Sequence, residues 1–148
     1  MVYKDLDLAQ VEKLASEMAT LVKTKKAVIG LIGPLGAGKT TFVKAFAKQF
    51  KINKIKSPTF VITHQYKIPQ RSLYHMDFYR LHNDKQLIDL GLDEILNSNN
   101  VVLIEWIDRF AQIIKRCDIL ISFSTKGGSA SGGKVKKNNK RDVTIQTI

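Results

Sequence analysis

Gly33-Pro34-Leu35-Gly36-Ala37-Gly38-Lys39-Thr40 is the stretch that decides the fold. It fits G-x-x-x-x-G-K-[ST], a loop whose backbone N–H groups cradle phosphate oxygens. The glycines let the chain turn those N–H groups inward, and a helix start behind them adds partial positive charge. Lys39 is placed to reach the β- and γ-phosphates of a nucleotide, and the Thr40 hydroxyl to bind Mg²⁺. The flanks have the context the loop requires. Ala27-Val28-Ile29-Gly30-Leu31-Ile32 is an apolar run that reads as a buried strand, and Thr40 to Lys48 reads as a helix ending near Phe50.

Working outward, Asp7 to Val22 reads as an amphipathic helix. Leu8, Val11, Leu14, Ala15, Met18, Leu21 and Val22 form its apolar stripe, and Asp7 with Gln10 forms a capping box. Lys51 to Thr59 reads as a loop. Phe60–Gln65 and Ser72–Tyr79 read as two strands, close enough to form an antiparallel hairpin, with Lys67 to Gln70 between them. Gln86–Leu90 and Leu92–Leu96 read as short helices broken at Gly91, before a turn from Asn97 to Asn100. Val101-Val102-Leu103-Ile104 has the unbroken apolar character of a central parallel strand. Phe110–Ile114 reads as a helical turn and Ile119–Phe123 as another buried strand. Lys126 to Lys134 is a flexible Gly/Ser/Lys loop by composition. Val143–Ile148 alternates like a final, edge strand. The expected fold is α/β: a mainly parallel sheet of the P-loop nucleotide-triphosphatase kind with an antiparallel β-hairpin insertion, in one domain over residues 1–148.

Composition narrows the class. The chain has 148 residues, 44% hydrophobic, enough for one core. Its single cysteine, Cys117, excludes an internal disulfide and reads as a buried thiol before a strand. Met1 to Asp5 lacks the apolar region of a secretory signal, and no run is long enough to span a membrane, so a cytoplasmic protein with no membrane partner is expected. The formal net charge is +11, and no acidic residue occurs between Glu17 and Asp77. A second basic run lies between Lys134 and Arg141. This balance suits an anionic ligand. It leaves direct contact with nucleic acid open, since no recognition motif accompanies it.

Two acids end apolar strands. Glu105 follows Val101–Ile104, the place of a magnesium-anchoring acid beside a phosphate loop, and Asp77 follows Leu73–Met76. Glu105 is the expected Mg²⁺ anchor with Thr40, and Asp77 the expected water-activating acid or outer magnesium partner. Ser57-Pro58-Thr59 has the make-up of a switch loop or of a proline-stabilised turn, with Thr59 a candidate to sense the γ-phosphate. Trp106, next to Glu105, is a candidate shield of the site or a half-buried core residue. Asn139-Lys140-Arg141-Asp142 matches N-K-x-D of guanine-specific enzymes, but a basic loop precedes it where that motif needs a buried strand. Arg141 is kept as a candidate phosphate or partner contact. His64, His75 and His82 have no metal-ligand spacing and are assigned no zinc.

These motifs together resemble the TsaE (YjeE) family of bacterial ATPases. The resemblance rests on Gly36-Ala37-Gly38-Lys39-Thr40-Thr41-Phe42, Lys56-Ser57-Pro58-Thr59-Phe60, Tyr74-His75-Met76-Asp77-Phe78-Tyr79-Arg80-Leu81, Leu90-Gly91-Leu92-Asp93-Glu94 and Leu103-Ile104-Glu105-Trp106. It covers roughly Ala27 to Trp106. It implies an ATPase that serves formation of threonylcarbamoyladenosine beside the tRNA anticodon, with a TsaD-type transferase and a TsaB-type partner, and that resets this complex rather than transferring the group itself. It implies that Gly36, Ala37, Gly38, Lys39, Thr40 and Thr41 bind the phosphates of ATP. It further implies that Thr40 and Glu105 hold Mg²⁺, and that Asp77 and Trp106 serve hydrolysis. Two positions depart from the family pattern: Pro34 stands where an acid is usual, and Ile107 where proline is usual. Hydrolysis without partners is expected to be slow, roughly 10⁻⁴ to 10⁻² per second for loops of this kind lacking an arginine finger. Two other classes stay open. A small-molecule kinase would need an arginine-bearing lid, which five scattered arginines do not supply. A nucleotide-dependent binding module would use the ordered switch loop as its output.

Overall fold

The computed structural model describes residues 1–125 and 140–148. The Gly/Ser/Lys loop, most of the second basic run and Asn139 of the N-K-x-D match lie outside the described residues. Strand β1 (Val2–Leu6) leads into α1 (Leu8–Leu21), β2 (Ala27–Ile32) and α2 (Lys39–Lys48). The hairpin β3 (Thr63–Ile68) and β4 (Arg71–Asp77) follows, then α3 (Asp84–Asp89), α4 (Leu92–Asn97) and β5 (Val101–Glu105). A 3-10 turn at Ile107–Arg109, α5 (Ala111–Ile114), β6 (Ile119–Thr125) and β7 (Arg141–Thr147) complete the described chain.

Among the described residues these strands form one sheet in the order β1-β7-β6-β2-β5-β4-β3. Its centre, β6-β2-β5-β4, is parallel; β3, β7 and β1 join antiparallel at the two sides. The hairpin is built into the sheet, because β4 lies parallel beside β5. β5 and β6 flank β2 on opposite sides, so the connections diverge above the end of β2. A crevice at the carboxyl ends of strands, where the order reverses, is where α/β sheets hold ligands.

Alternation along the strands sends side chains to two apolar layers. Ile29, Leu31, Leu73, Leu103 and Ile121 pack against Val11, Leu14 and Met18 of α1 and Phe42, Val43 and Phe46 of α2. Val28, Met76, Val102 and Ile104 pack on the other face against Leu87, Leu92, Leu96, Phe110 and Ile113. Both capping-box bonds of α1 are present, Gln10 N to Asp7 Oδ1 at 2.8 Å and Asp7 N to Gln10 Oε1 at 2.9 Å. Its far end is closed by the Arg71 guanidinium, which donates to the carbonyls of Val22, Lys23 and Lys25. The helices broken at Gly91 are as expected, with Gly91 at φ 66°.

Several boundaries differ from the sequence reading. Phe60, Val61 and Ile62 form a turn rather than the start of a strand: Val61 N and Ile62 N both donate to Pro58 O, at 3.1 and 2.6 Å. Phe60 is 81% exposed and Val61 56%, so this apolar pair faces solvent. The strand instead runs on through Ile68, which is buried and pairs with Arg71, and the reversal sits at Pro69-Gln70. β4 ends at Asp77, whose pairing with Glu105 is held by the ladder bond from Phe78 N to Glu105 O at 3.0 Å. β7 is not an edge strand; β1 covers it, with Val2 opposite Thr144 and Tyr3 opposite Val143. Met1–Leu6 carries little strand signal of its own and becomes one through this long-range pairing. In α1, Leu8 and Leu21 leave the buried stripe and are exposed.

Candidate functional site

The loop after β2 wraps the start of α2. Gly33 sits at φ 148°, and a Cβ there would lie 2.6 Å from Phe123 O, so only glycine lets β2 turn out beside β6. Gly38 sits at φ 107° immediately before α2, where a Cβ would meet Arg141 Nη1 at 3.3 Å. Arg141, the first residue of β7, therefore lies against the phosphate loop although it is about a hundred residues distant in sequence. The first N–H groups of α2 open onto a cavity of about 400 Å³. Leu8, Leu35, Gly36, Ala37, Gly38, Lys39, Thr40, Thr41, Ser57, Thr59, Asp77, Glu105, Trp106 and Arg141 line this cavity. All the site residues expected from the sequence thus converge on one mouth.

Lys39 is buried, and its ammonium donates to Gly33 O at 2.5 Å and Pro34 O at 3.0 Å. The same nitrogen lies 3.7 Å from the centre of the Trp106 ring, within cation–π range. Burial holds the Lys39 ammonium below the usual lysine value, and the carboxylates of Glu105, Asp108 and Asp77 pull it partly back. Trp106 takes a left-handed backbone (φ 59°) while its N–H donates to Leu31 O at 3.0 Å, which turns the indole over the loop. Tyr79 packs against the same ring, with ring centres 4.9 Å apart.

Register brings the two acids level: Asp77 pairs with Glu105, and Glu105 with Leu31. The Thr40 hydroxyl donates to the Glu105 carboxylate, 3.0 Å from either oxygen. A hydroxyl has one proton and two lone pairs, so Thr40 keeps oxygen density for a cation while its proton is engaged. Thr40 and Glu105 are a hard-oxygen pair at the start of α2, the donor chemistry Mg²⁺ takes in such sites. Asp77 is also buried. Its Oδ2 accepts from Thr59 Oγ1 at 3.1 Å and its Oδ1 from Tyr79 N at 2.8 Å. Ser57 Oγ lies 2.8 Å from Thr59 Oγ1, so the Ser-Pro-Thr loop is tied to the acid through hydroxyls.

Sequence reasoning passed over His75. It is fully buried on β4, and its Nε2 lies 2.8 Å from Glu105 Oε1. The available signal was the spacing Leu73-His75-Asp77, which puts His75 on the same face as Asp77, below the site. The N-K-x-D match gains no support, since the Asp142 carboxylate accepts from Asp5 N at 2.9 Å.

Residues 6–132 match the family described as threonylcarbamoyl adenosine biosynthesis protein TsaE. Relatives carrying the name tRNA threonylcarbamoyladenosine biosynthesis protein TsaE come from several bacteria. The protein of Bacillus subtilis is 49% identical over 80 residues, 53% of this chain and 49% of that protein. The match therefore spans about half of that relative's length. That of Aquifex aeolicus is 36% identical over 136 residues, 90% of this chain and 86% of that one. That of Haemophilus influenzae is 33% identical over 112 residues, 74% and 71% of the two chains. The crystal structure of Bacillus subtilis YdiB superposes with a TM-score of 0.72 at 27% identity, covering 99% of this chain and 84% of that one.

Proposed function

The chain belongs to the TsaE family, and from that premise we propose that it is a Mg²⁺-dependent ATPase that serves threonylcarbamoyladenosine formation on tRNA together with a TsaD-type transferase and a TsaB-type partner. The observation that carries the ATPase reading is the convergence of Lys39, Thr40, Asp77 and Glu105 on one cavity at a helix N-terminus. The backbone of Gly36 to Thr41 would bind phosphate oxygens. Lys39 would exchange the Gly33 and Pro34 carbonyls for the β- and γ-phosphates. Thr40 and Glu105 would hold Mg²⁺, which neutralises charge on the phosphates when bound. Asp77 is the carboxylate placed to orient or deprotonate water, and Thr59, now bonded to it, is the hydroxyl that would answer to the γ-phosphate. Arg141 would add charge from the side of Gly38. Trp106 would exclude bulk water above Lys39. The role on tRNA comes to this chain from its family.

Titration calorimetry with ATP, ADP and GTP, with and without Mg²⁺, tests the site. Adenine-selective binding that strengthens with Mg²⁺ and is much weaker in Lys39→Ala is the expected result. Equal affinity for GTP would remove ATP as the preferred substrate. For hydrolysis, Asp77→Asn should keep nucleotide binding and lose turnover. Basal turnover above about one per second would contradict control by partners.

A further inference from the structure

Two observations single out His75. Its imidazole is buried without exposure, and its Nε2 lies 2.8 Å from Glu105 Oε1, one of the two oxygens 3.0 Å from the Thr40 hydroxyl. Its other ring nitrogen, Nδ1, is buried with no hydrogen-bond partner among the described residues. A buried polar atom left without a partner costs stability. An apolar side chain of similar size, packed beside Leu73 and Leu103, would avoid that cost. What His75 alone supplies there is a donor aimed at Glu105. An ionised carboxylate only accepts hydrogen bonds, so the proton of this contact sits on Nε2.

We propose that His75 is a positioning residue for the metal-anchoring carboxylate: its Nε2–H fixes the Glu105 rotamer so that both carboxylate oxygens stay turned toward Thr40. The inference rests on the reading of Thr40 and Glu105 as the Mg²⁺ pair. The geometry explains why one restraint is insufficient. Thr40 Oγ1 is equidistant from the two carboxylate oxygens and so does not choose between them. His75 engages only Oε1 and breaks that symmetry. β4 and β5 carry His75 and Glu105 as adjacent strands in fixed parallel register, so the bond is set by the sheet rather than by a loop. Partners that orient a ligand in this way are typically worth about 10- to 100-fold in metal affinity.

The test is calorimetric titration of the full chain with ATP, in chelator and in Mg²⁺, for wild type and three variants. His75→Leu is expected to keep wild-type ATP affinity in chelator and to lose roughly 10-fold or more of the affinity gained on adding Mg²⁺. His75→Gln, whose amide nitrogen reaches the place of Nε2, should recover the gain; His75→Asn, one carbon shorter, should not. The Gln and Asn pair decides the matter if the Leu variant fails to fold. Equal losses with and without Mg²⁺, no loss in either, or a Gln variant no better than Asn would each overturn the proposal. A wild-type protein whose ATP binding ignores Mg²⁺ would instead strike the parent reading, and this one with it. Nitrogen NMR of labelled wild-type protein is independent of folding variants. A proton on Nε2 supports the positioning role, and a bare Nε2 overturns it.

Discussion

The two faces of the sheet are built from the same strands yet hold different kinds of residue. On the face under α3, α4 and α5 the buried layer is apolar throughout its described members, from Val28 and Met76 to Phe78, Phe110 and Cys117. On the face under α1 and α2 the layer is apolar only in its lower part. Toward the carboxyl ends of β4 and β5 it gives way to His75, Asp77 and Glu105, with Lys39 above them, all buried. One face is filled by apolar side chains among its described buried residues. The other gives up apolar contacts at its upper end and compensates with hydrogen bonds: Thr40 and His75 on Glu105, and Thr59 and Tyr79 on Asp77. The buried polar residues occupy the end of one core layer, close to where the strand order reverses.

Substitutions sharpen or break that contrast. Phe78→Ala, on the wholly apolar face, is expected to cost about 3–5 kcal/mol of stability, measured as a urea midpoint. Phe78 is fully buried and packs edge-on against Phe110 at 5.6 Å. A loss under about 1 kcal/mol would show that this face repacks freely. Lys39→Ala, on the other face, should weaken ATP binding by on the order of 100-fold, the worth of two charge-assisted hydrogen bonds at roughly 1.5 kcal/mol each. Equal affinity in wild type and variant would dissociate the polar end of that layer from phosphate. Asp7→Ala removes one half of the α1 capping box and should cost about 1 kcal/mol, with nucleotide affinity unchanged.

An effect confined to alkaline pH is set by Cys117. Burial, reinforced by the Asp118 carboxylate, pushes its thiol from 9.0 up to about 12. The folded chain then holds this proton more tightly than the unfolded chain. Its contribution is fully present below pH 9 and is lost as pH rises from there through about 12. Urea midpoints should therefore be insensitive to this group below pH 9 and fall above it, and Cys117→Ala should flatten that fall. Thiol reagents should modify Cys117 only after unfolding. Rapid alkylation of the native protein would place the thiol outside the apolar face.

Much of the site was legible because its signals are local. Glycines at fixed offsets before Lys39-Thr40, an unbroken apolar run ending in Glu105, and a capping box at Asp7 each state a conformation through residues close in sequence. The failures share the opposite property. Phe60-Val61 reads as strand by residue type, yet hydrogen bonds from Val61 N and Ile62 N to Pro58 O, and pairing with β4 that begins only at Thr63, make it a turn. Met1–Leu6 is a strand because β7 lies beside it. The histidine of Leu73-His75-Asp77 could be set on the right face by period-two spacing, but spacing says nothing of what that face meets.

By itself, then, the sequence determined the loop, the acids, the order of elements after the first strand and the family, since each rests on backbone preference and short-range pattern. Tertiary structure alone decided that Asp77 and Glu105 stand level, that Arg141 lies against Gly38, and that His75 meets Glu105. Those contacts join residues about thirty to about a hundred positions apart, and strand register and crossover, which no short window of sequence encodes, set the distances between them.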